Sequence, residues 1–559
     1  MDAADAAAST VAGPQPRALH AQSRLLLPFL FERRAADQAA LALETASGGL
    51  ARGIWVREPP RKLYRYRLEM TGQLDRFLFS HGEKGAVEGA YLHASGERIR
   101  RWLGALDVDL GHRTARVGLA PSPGVELFLT AHGAGVLSFT FDLGAGSDLA
   151  SVLELNRKLS ILTRPGERAP WLSTAPPPGE APPPPGEGHP GSTVPLGERL
   201  GRPGARFSLA ELIAALAEPL RGMGVAPIQE SLCAYTVVSL PAGVDLEASK
   251  AWTGPFLSAL AQVQGSVAPA GDADDLGIPD LRLSRGHWSA ASLQGAAHLL
   301  CEHGGPAAEP ATQAAPAASE ERLAEVRDRW FVPYLTALLQ RCAIKKAAEE
   351  ATDMVVREEV KGEAVSRLRS DVLAFALAGA LPEVSVRYAL HRYYRMCQEA
   401  VDLDRNLGQV REALGDLEAQ LSAKRQVEIG EAQRDIARQS VESQESAHRI
   451  HMSLVWIEVF IVVAYAAELV KFFVLELPHI EVPWMRWTAG LGSVAAGAVA
   501  LLVLRPWDHR HGKKGGHAKV GEERPGAPAT GGGHGAGAHA SHAGEGAAVG
   551  VHQGPGKVL

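Results

Sequence analysis

Residues 453–473, SLVWIEVFIVVAYAAELVKFF, decide how this chain is read. They are apolar enough to enter a lipid bilayer, yet they carry Glu458, Glu468 and Lys471. Three readings compete for such a stretch: an anchor, a buried core helix, or part of a conduction path. A bilayer core requires about 20 apolar residues in a helix, and 453–475 is long enough. A second apolar stretch, WTAGLGSVAAGAVALLVL at 487–504, follows the short connection ELPHIEVPWMR. Two spans this close are expected to form a transmembrane hairpin.

Basic residues orient that hairpin. Arg434, Arg438 and Arg449 precede the first span, and Arg505, Arg510, Lys513 and Lys514 follow the second. Both termini are therefore expected in the cytoplasm of a bacterial inner membrane. The external loop then carries Glu476 and Glu481. Trp456, Trp484, Trp487 and Trp507 fall where interface aromatics belong. In the second span Ala489, Ser493 and Gly497 lie four apart, as do Gly492, Ala496 and Ala500, so helix–helix contact is expected. An intramembrane carboxylate marks a candidate functional site. The competing reading has Glu458 and Glu468 snorkelling to headgroups, or Glu468 pairing with Lys471 three residues on.

Upstream, Leu403, Leu407, Val410, Leu414, Leu417 and Leu421 recur at alternating steps of four and three. This is a heptad seam, which wraps a helix against a partner with left-handed supercoil. After a register slip, Ile429, Ala432, Ile436, Ser440, Ser443, Ala447 and Ile450 continue the stripe to Leu454. The second half is smaller and more polar, and places Ser440 and Ser443 on the seam. No proline interrupts Glu383 to Pro478, so a stalk helix is expected to run straight into the first span, with Leu403 to Leu454 covering about 77 Å.

The remainder divides by composition. Residues 1–22 are expected as a disordered leader, 23–163 as an α/β segment, 164–205 as a Pro/Gly-rich linker, 206–305 as a second α/β segment and 306–318 as another linker. Residues 319–452 form a helical region that ends in the stalk, and 505–559 a disordered His/Gly-rich tail. The fold class expected is thus an α+β cytoplasmic module, a helical region with a coiled-coil-like stalk, and a two-helix transmembrane hairpin. Within the first segment GVELFLTAHGAGVLSFTFDL (124–143) reads as a hairpin, and SDLASVLELNRKLSIL (147–162) as a helix capped by Ser147 or Asp148. In the second, FSLAELIAALAEPLRGMG reads as a helix ending at glycine and SLCAYTVVSLP as a strand. GHWSAASLQGAAHLLCEHGG (286–305) reads as strand then helix. Pro333 is expected to kink one later helix and Pro382 to end another.

Several functions find no support. A net charge of −6 over 559 residues gives no electrostatic footprint for nucleic acid. The acidic N-terminus and the short, proline-broken LLLPFLF (25–31) resemble neither a signal peptide nor a span. Cys233, Cys301, Cys342 and Cys397 are far apart, as expected of reduced thiols rather than a metal knuckle. There is no GxxxxGK[ST], GxSxG or HExxH, so neither an enzyme nor a cofactor is expected. GDADDLGIPD (271–280) lacks the terminal Glu of a calcium loop and reads as an acidic surface loop. His509, His511 and His517 are weak metal candidates, irregularly spaced and unaided by cysteine. The partners expected are the bilayer, further copies of the chain, and a cytoplasmic protein or small ligand.

The layout resembles the CorA family of divalent-cation channels over roughly residues 320–514. It shares a cytoplasmic α/β domain, a long stalk running into the first of two C-terminal spans, an acidic external loop and a basic end. The resemblance implies a homopentamer with the first spans, here bearing Glu458, lining a pore. The family's Gly-Met-Asn at the outer end of that span is replaced by KFFVLELPHIEVP. The resemblance therefore carries no ion-filter residue over to this chain.

Overall fold

A computed structural model describes residues 16–472, with longer breaks at 58–69, 80–88, 163–168, 175–195, 268–279, 302–314 and 357–361 and several shorter ones, and scattered residues between 484 and 499. The external-loop residues Glu476 and Glu481, the tail histidines His509, His511 and His517, and most of GDADDLGIPD lie outside the described residues. Those described between Trp484 and Val499 are helical.

The strands are β1 (His20–Leu30), β2 (Trp55–Val56), β3 (Ala90–Ala94), β4 (Leu106–Asp109), β5 (Thr114–Leu119), β6 (Val125–Leu129) and β7 (Ala134–Asp142). They continue as β8 (Leu172–Thr174), β9 (Arg206–Phe207), β10 (Ala226–Pro227), β11 (Cys233–Leu240), β12 (Asp280–Ser284), β13 (His287–Ala291) and β14 (Gly295–Cys301). The helices are α1 (Ala36–Glu44), α2 (Gly72–Leu78), α3 (Leu149–Ser160), α4 (Leu196–Arg199), α5 (Leu209–Leu216) and α6 (Lys250–Ala261). After these come α7 (Ala315–Asp328), α8 (Phe331–Val356), α9 (Gly362–Ala374), α10 (Tyr388–Ala400) and α11 (Leu403–Lys471).

One mixed sheet joins both α/β segments. Its path is β12-β13-β14-β11-β1-β7-β5-β4-β8-β9, and β2-β3-β6 branches off β7. Only β11 and β14 pair in parallel among the described strands; every other pair is antiparallel. At the centre lies β1, which explains LLLPFLF. A strand covered on both faces reads as a continuous apolar run. Leu25, Leu27 and Phe29 face one core, with α1, α3, α5 and α6. Leu26 and Leu30 face the other, with α2 and α8–α11. Pro28 is tolerated mid-strand because β1 changes partner there. Its ladder with β11 ends at Leu26 and that with β10 starts at Phe29, so the absent N–H falls in a gap.

The 124–143 hairpin forms as β6 and β7, with Val125 opposite Phe139. Its glycines are required. Gly133 has φ +78°, and a Cβ on Gly135 would lie 2.4 Å from the Phe29 ring. Asp148, not Ser147, caps α3, its carboxylate accepting from Ser151 N–H at 2.8 Å. Ser208 and Glu211 form a capping box on α5. That helix stops at Leu216 and a 3₁₀ turn, Glu218–Leu220, takes over before the glycines. Pro219 in this turn has no N–H to continue the α ladder.

Four expectations are corrected. Residues 18–22 belong to the fold rather than to the leader: β1 starts at His20, and Ala18 and Ala21 are buried. The 164–205 stretch contains β8 and α4, whose Leu172 and Leu196 enter the core. GHWSAASLQGAAHLLC is a β-hairpin, β13–β14, rather than strand then helix. Its Ser292 hydroxyl accepts the Gln294 and Gly295 N–H groups and donates to the Ala261 carbonyl. A Cβ on Gly295 would lie 2.3 Å from the Ala234 carbonyl oxygen. The alanine-rich β14 has helix propensity, but burial on both sheet faces overrides it. Pro333 kinks nothing, because α7 ends at Asp328 and Pro333 falls in the first turn of α8, where its missing N–H has no helical acceptor.

Helix α11 is 69 residues long, about 104 Å. It is separated from α10 by Val401 and Asp402, whose φ of +53° breaks the helical path. Leu403, Leu407, Val410, Leu414 and Leu417 are buried, packed with Val365, Leu368 and Val372 of α9. The first half of the seam thus finds its partners within the same chain.

Candidate functional site

Two places on the chain carry arrangements that point to function. The first is the C-terminal part of α11. By length and composition this helix can cross a membrane, and none of its most apolar 18-residue window is buried. Glu458, Glu468 and Lys471 lie on it, all exposed, as do Ser440 and Ser443. At 100° per residue Ser440, Ser443, Glu458 and Glu468 fall within a sector of about 80°. Glu431, Arg434, Arg438, Glu442, Glu445 and Arg449 occupy a sector of about 80° on the opposite side. The Ser443 hydroxyl donates to the Ser440 backbone carbonyl at 3.0 Å, so the Ser443 side chain is drawn into local backbone bonding.

The second is a charged cleft of about 580 Å³ in the N-terminal module. It is lined by Glu32 and Arg33 after β1, the Met223–Gly224 turn, Lys346 and Glu350 of α8, and Arg367, Ser370 and Asp371 of α9. Helical spacing explains the last five: positions four apart, or three and four apart, share one face. The turn is held against the strand end by Glu32 N–H donating to the Met223 carbonyl at 3.2 Å. Arg33 stands between two carboxylates, Nη2 lying 3.2 Å from Glu350 and Nη1 3.3 Å from Asp371. Its Nε is buried and makes no hydrogen bond among the described residues. Burial raises the Glu350 carboxyl above its usual range, against the pull of Arg33.

Beneath the cleft a smaller apolar cavity shares Arg33 and Asp371 and is lined further by His132, Phe375, Leu407 and Val410. Burial, with Arg33 adding to it, depresses His132 to about 4. Its ring meets Phe375 edge-on at 5.3 Å. Phe375 opens a π-helical turn, Phe375–Gly379, of a kind that recurs at functional sites. Gln340 holds that turn by donating to the Gly379 carbonyl at 2.6 Å, and Tyr394 donates to Gln340 in turn.

Two other polar clusters are sealed inside the module. Arg24 pairs with Glu126 at 2.7 Å and Asp328 at 2.6 Å and covers the Phe331 ring at 4.3 Å, tying β1 and β6 to the end of α7. His287, His298 and Tyr393 form a chain with 3.0 Å links, joining β13 and β14 to α10. Burial holds both imidazoles well below their ordinary pKa, His287 at about 3, so the chain is neutral. All four cysteines are buried and outside any disulfide, and burial lifts the Cys301 thiol to about 11, which suppresses the thiolate. Among the described residues no three His, Cys, Asp or Glu side chains gather as a metal would need.

Sequence reasoning reached the α11 residues and missed the cleft. Its i, i+4 pairs, Lys346 with Glu350 and Arg367 with Asp371, were visible, but such pairs look the same on any solvated helix face. Nothing local linked them to Arg33. No protein-family model matches the chain, and neither a curated protein nor a solved structure matches it.

Proposed function

We propose that this protein is a membrane-tethered scaffold or sensor. Its α+β module meets a ligand or protein partner on the cytoplasmic side of a bacterial inner membrane. The apolar end of α11 holds it there, and the distal stripe of that helix self-associates. One observation carries the reading: one face of about four turns of α11 is buried in the module core, while its last five or so turns are apolar and exposed. An exposed apolar surface of that length is stable in hydrocarbon and not in water. Leu407 and Val410 line the same small cavity as Arg33 and Asp371. A change in the cleft therefore reaches α11 by direct packing, as a sensor requires.

Fractionation of the full chain tests the tether. It is expected in the membrane pellet after alkaline carbonate, while a chain stopped at residue 452 is released. A full chain found in the supernatant would overturn the proposal.

A second reading is a CorA-like oligomeric channel for cations, favoured by the shared face of Ser440, Ser443, Glu458 and Glu468. Light scattering corrected for bound detergent separates the two. A pentamer whose ion flux changes on Glu458→Gln supports the channel; a monomer or dimer removes a central pore.

A further inference from the structure

We infer that the charged cleft is a binding site for a compact zwitterion, a free amino acid or short peptide. The ligand ammonium would lie among the carboxylates of Glu32, Glu350 and Asp371, and the ligand carboxylate on Lys346 and Arg367. This supplies the ligand class for the sensor reading and rests on that reading for its biological use; the binding itself requires no membrane.

The charge balance of the lining carries the argument. Glu32, Glu350 and Asp371 face Arg33, Lys346 and Arg367 in one cleft. A phosphate would meet three carboxylates, and a polyamine three cations. A neutral sugar would desolvate all six charges, and among the described residues no aromatic side chain lines the cleft to stack against it. A zwitterion satisfies both signs at once with charge-assisted hydrogen bonds. The volume of about 580 Å³ lies within the usual range for small-ligand sites.

The positions divide the labour. Arg33, engaged by Glu350 and Asp371 at 3.2 and 3.3 Å, spaces the two carboxylates rather than reading the ligand. Lys346 is 3.8 Å from Glu350, outside hydrogen-bond range of it. Arg367, which also lines the cleft, donates to Glu363 one turn earlier in α9. Burial already disfavours the Glu350 carboxylate, so an arriving ammonium offsets an existing cost. The π-helical turn and the Leu407–Val410 wall lie directly beneath, which gives occupancy a route to α11.

Calorimetric titration of the full chain in detergent micelles tests the site. The probes are each common amino acid and dialanine, with inorganic phosphate and putrescine as comparisons. At least one zwitterion is expected to bind saturably, and phosphate and putrescine are not. Lys346→Met and Asp371→Asn each remove a charge-assisted bond and should weaken binding about tenfold or more. Asp371 also braces Arg33, so its variant is paired with Ser370→Trp. Ser370 is exposed at the rim, and tryptophan there should block the cleft while leaving the melting temperature unchanged. The proposal fails if no zwitterion saturates below about 10 mM. It fails equally if phosphate or putrescine binds instead, or if Lys346→Met and Ser370→Trp leave affinity unchanged. Fractionation stays independent: a chain in the supernatant that binds a zwitterion sinks the tether and keeps this site, and a membrane-bound chain that binds none does the reverse.

Discussion

Leu403–Leu417 and Ile429–Leu454 lie on one helix and repeat apolar residues with the same period, yet the first stretch is sealed and the second bare. Leu417 is 1% exposed and Ile436 66%. The difference follows from what each stripe offers. The first is built of Leu and Val and meets Val365, Leu368 and Val372 across a core. The second interleaves Ala432, Ser440, Ser443 and Ala447 with its isoleucines, so it removes less apolar area from water for each turn it covers. Periodicity marks a face; side-chain volume decides how strongly that face seeks cover.

The comparison can be broken most directly by truncation. Leu417→Ala is expected to cost about 2–5 kcal/mol through the cavity it leaves, read as a fall in the urea midpoint of the module. Ile436→Ala is expected to stay within about 0.5 kcal/mol in the dilute, detergent-solubilised chain. Equal losses would erase the distinction. A loss at Ile436 that grows with protein concentration would instead identify another copy of the chain as the missing cover.

Acid should act on the sealed region and spare the bare one. His132 is held at about 4 against an ordinary 6.5. The unfolded chain therefore binds this proton first as the pH falls. The stabilisation is complete above about pH 6.5 and is lost progressively toward pH 4, on the order of 1–3 kcal/mol. Chemical denaturation across that window should show the slope, and His132→Phe should flatten it. A slope unchanged by that substitution would place the acid sensitivity elsewhere.

Smaller effects sharpen the boundaries. Asp402, at φ +53° between α10 and α11, occupies a conformation that suits glycine. Asp402→Gly should raise module stability by about 1 kcal/mol or less, measured as the melting temperature. Smallest of all, Arg438→Ala breaks an exposed contact of 3.9 Å with Asp435 and should leave helicity by circular dichroism unchanged. A clear loss of helix there would mean that the bare stretch depends on its surface charges.

Much of the architecture was legible. The β6–β7 hairpin, the helices α3 and α5, the strand β11 and the seam from Leu403 all follow from patterns within about 20 residues, where turn chemistry and side-chain period dominate. The errors arose where burial overrode local preference. Alanine-rich β14 reads as helix until both its faces are covered, and LLLPFLF reads as an oddity until β1 becomes a central strand whose partner changes at Pro28. The cleft was not legible, because Arg33 stands about three hundred residues before Lys346 and Asp371, which sit on two successive helices.

The sequence by itself determined the apolar stretch at 453–471, the apolar stripe that leads to it after one register slip, and the absence of the familiar catalytic motifs. Each is a local property, set by composition or by the geometry of a single helix. Only the tertiary structure decided that the stripe is buried up to Leu417, that both α/β segments share one sheet, and that six opposed charges meet beside β1. Those outcomes depend on which distant surfaces exclude water together. Adjacency along the chain does not specify that, because closing a long loop costs little more than closing a short one, and the choice among distant partners falls to packing.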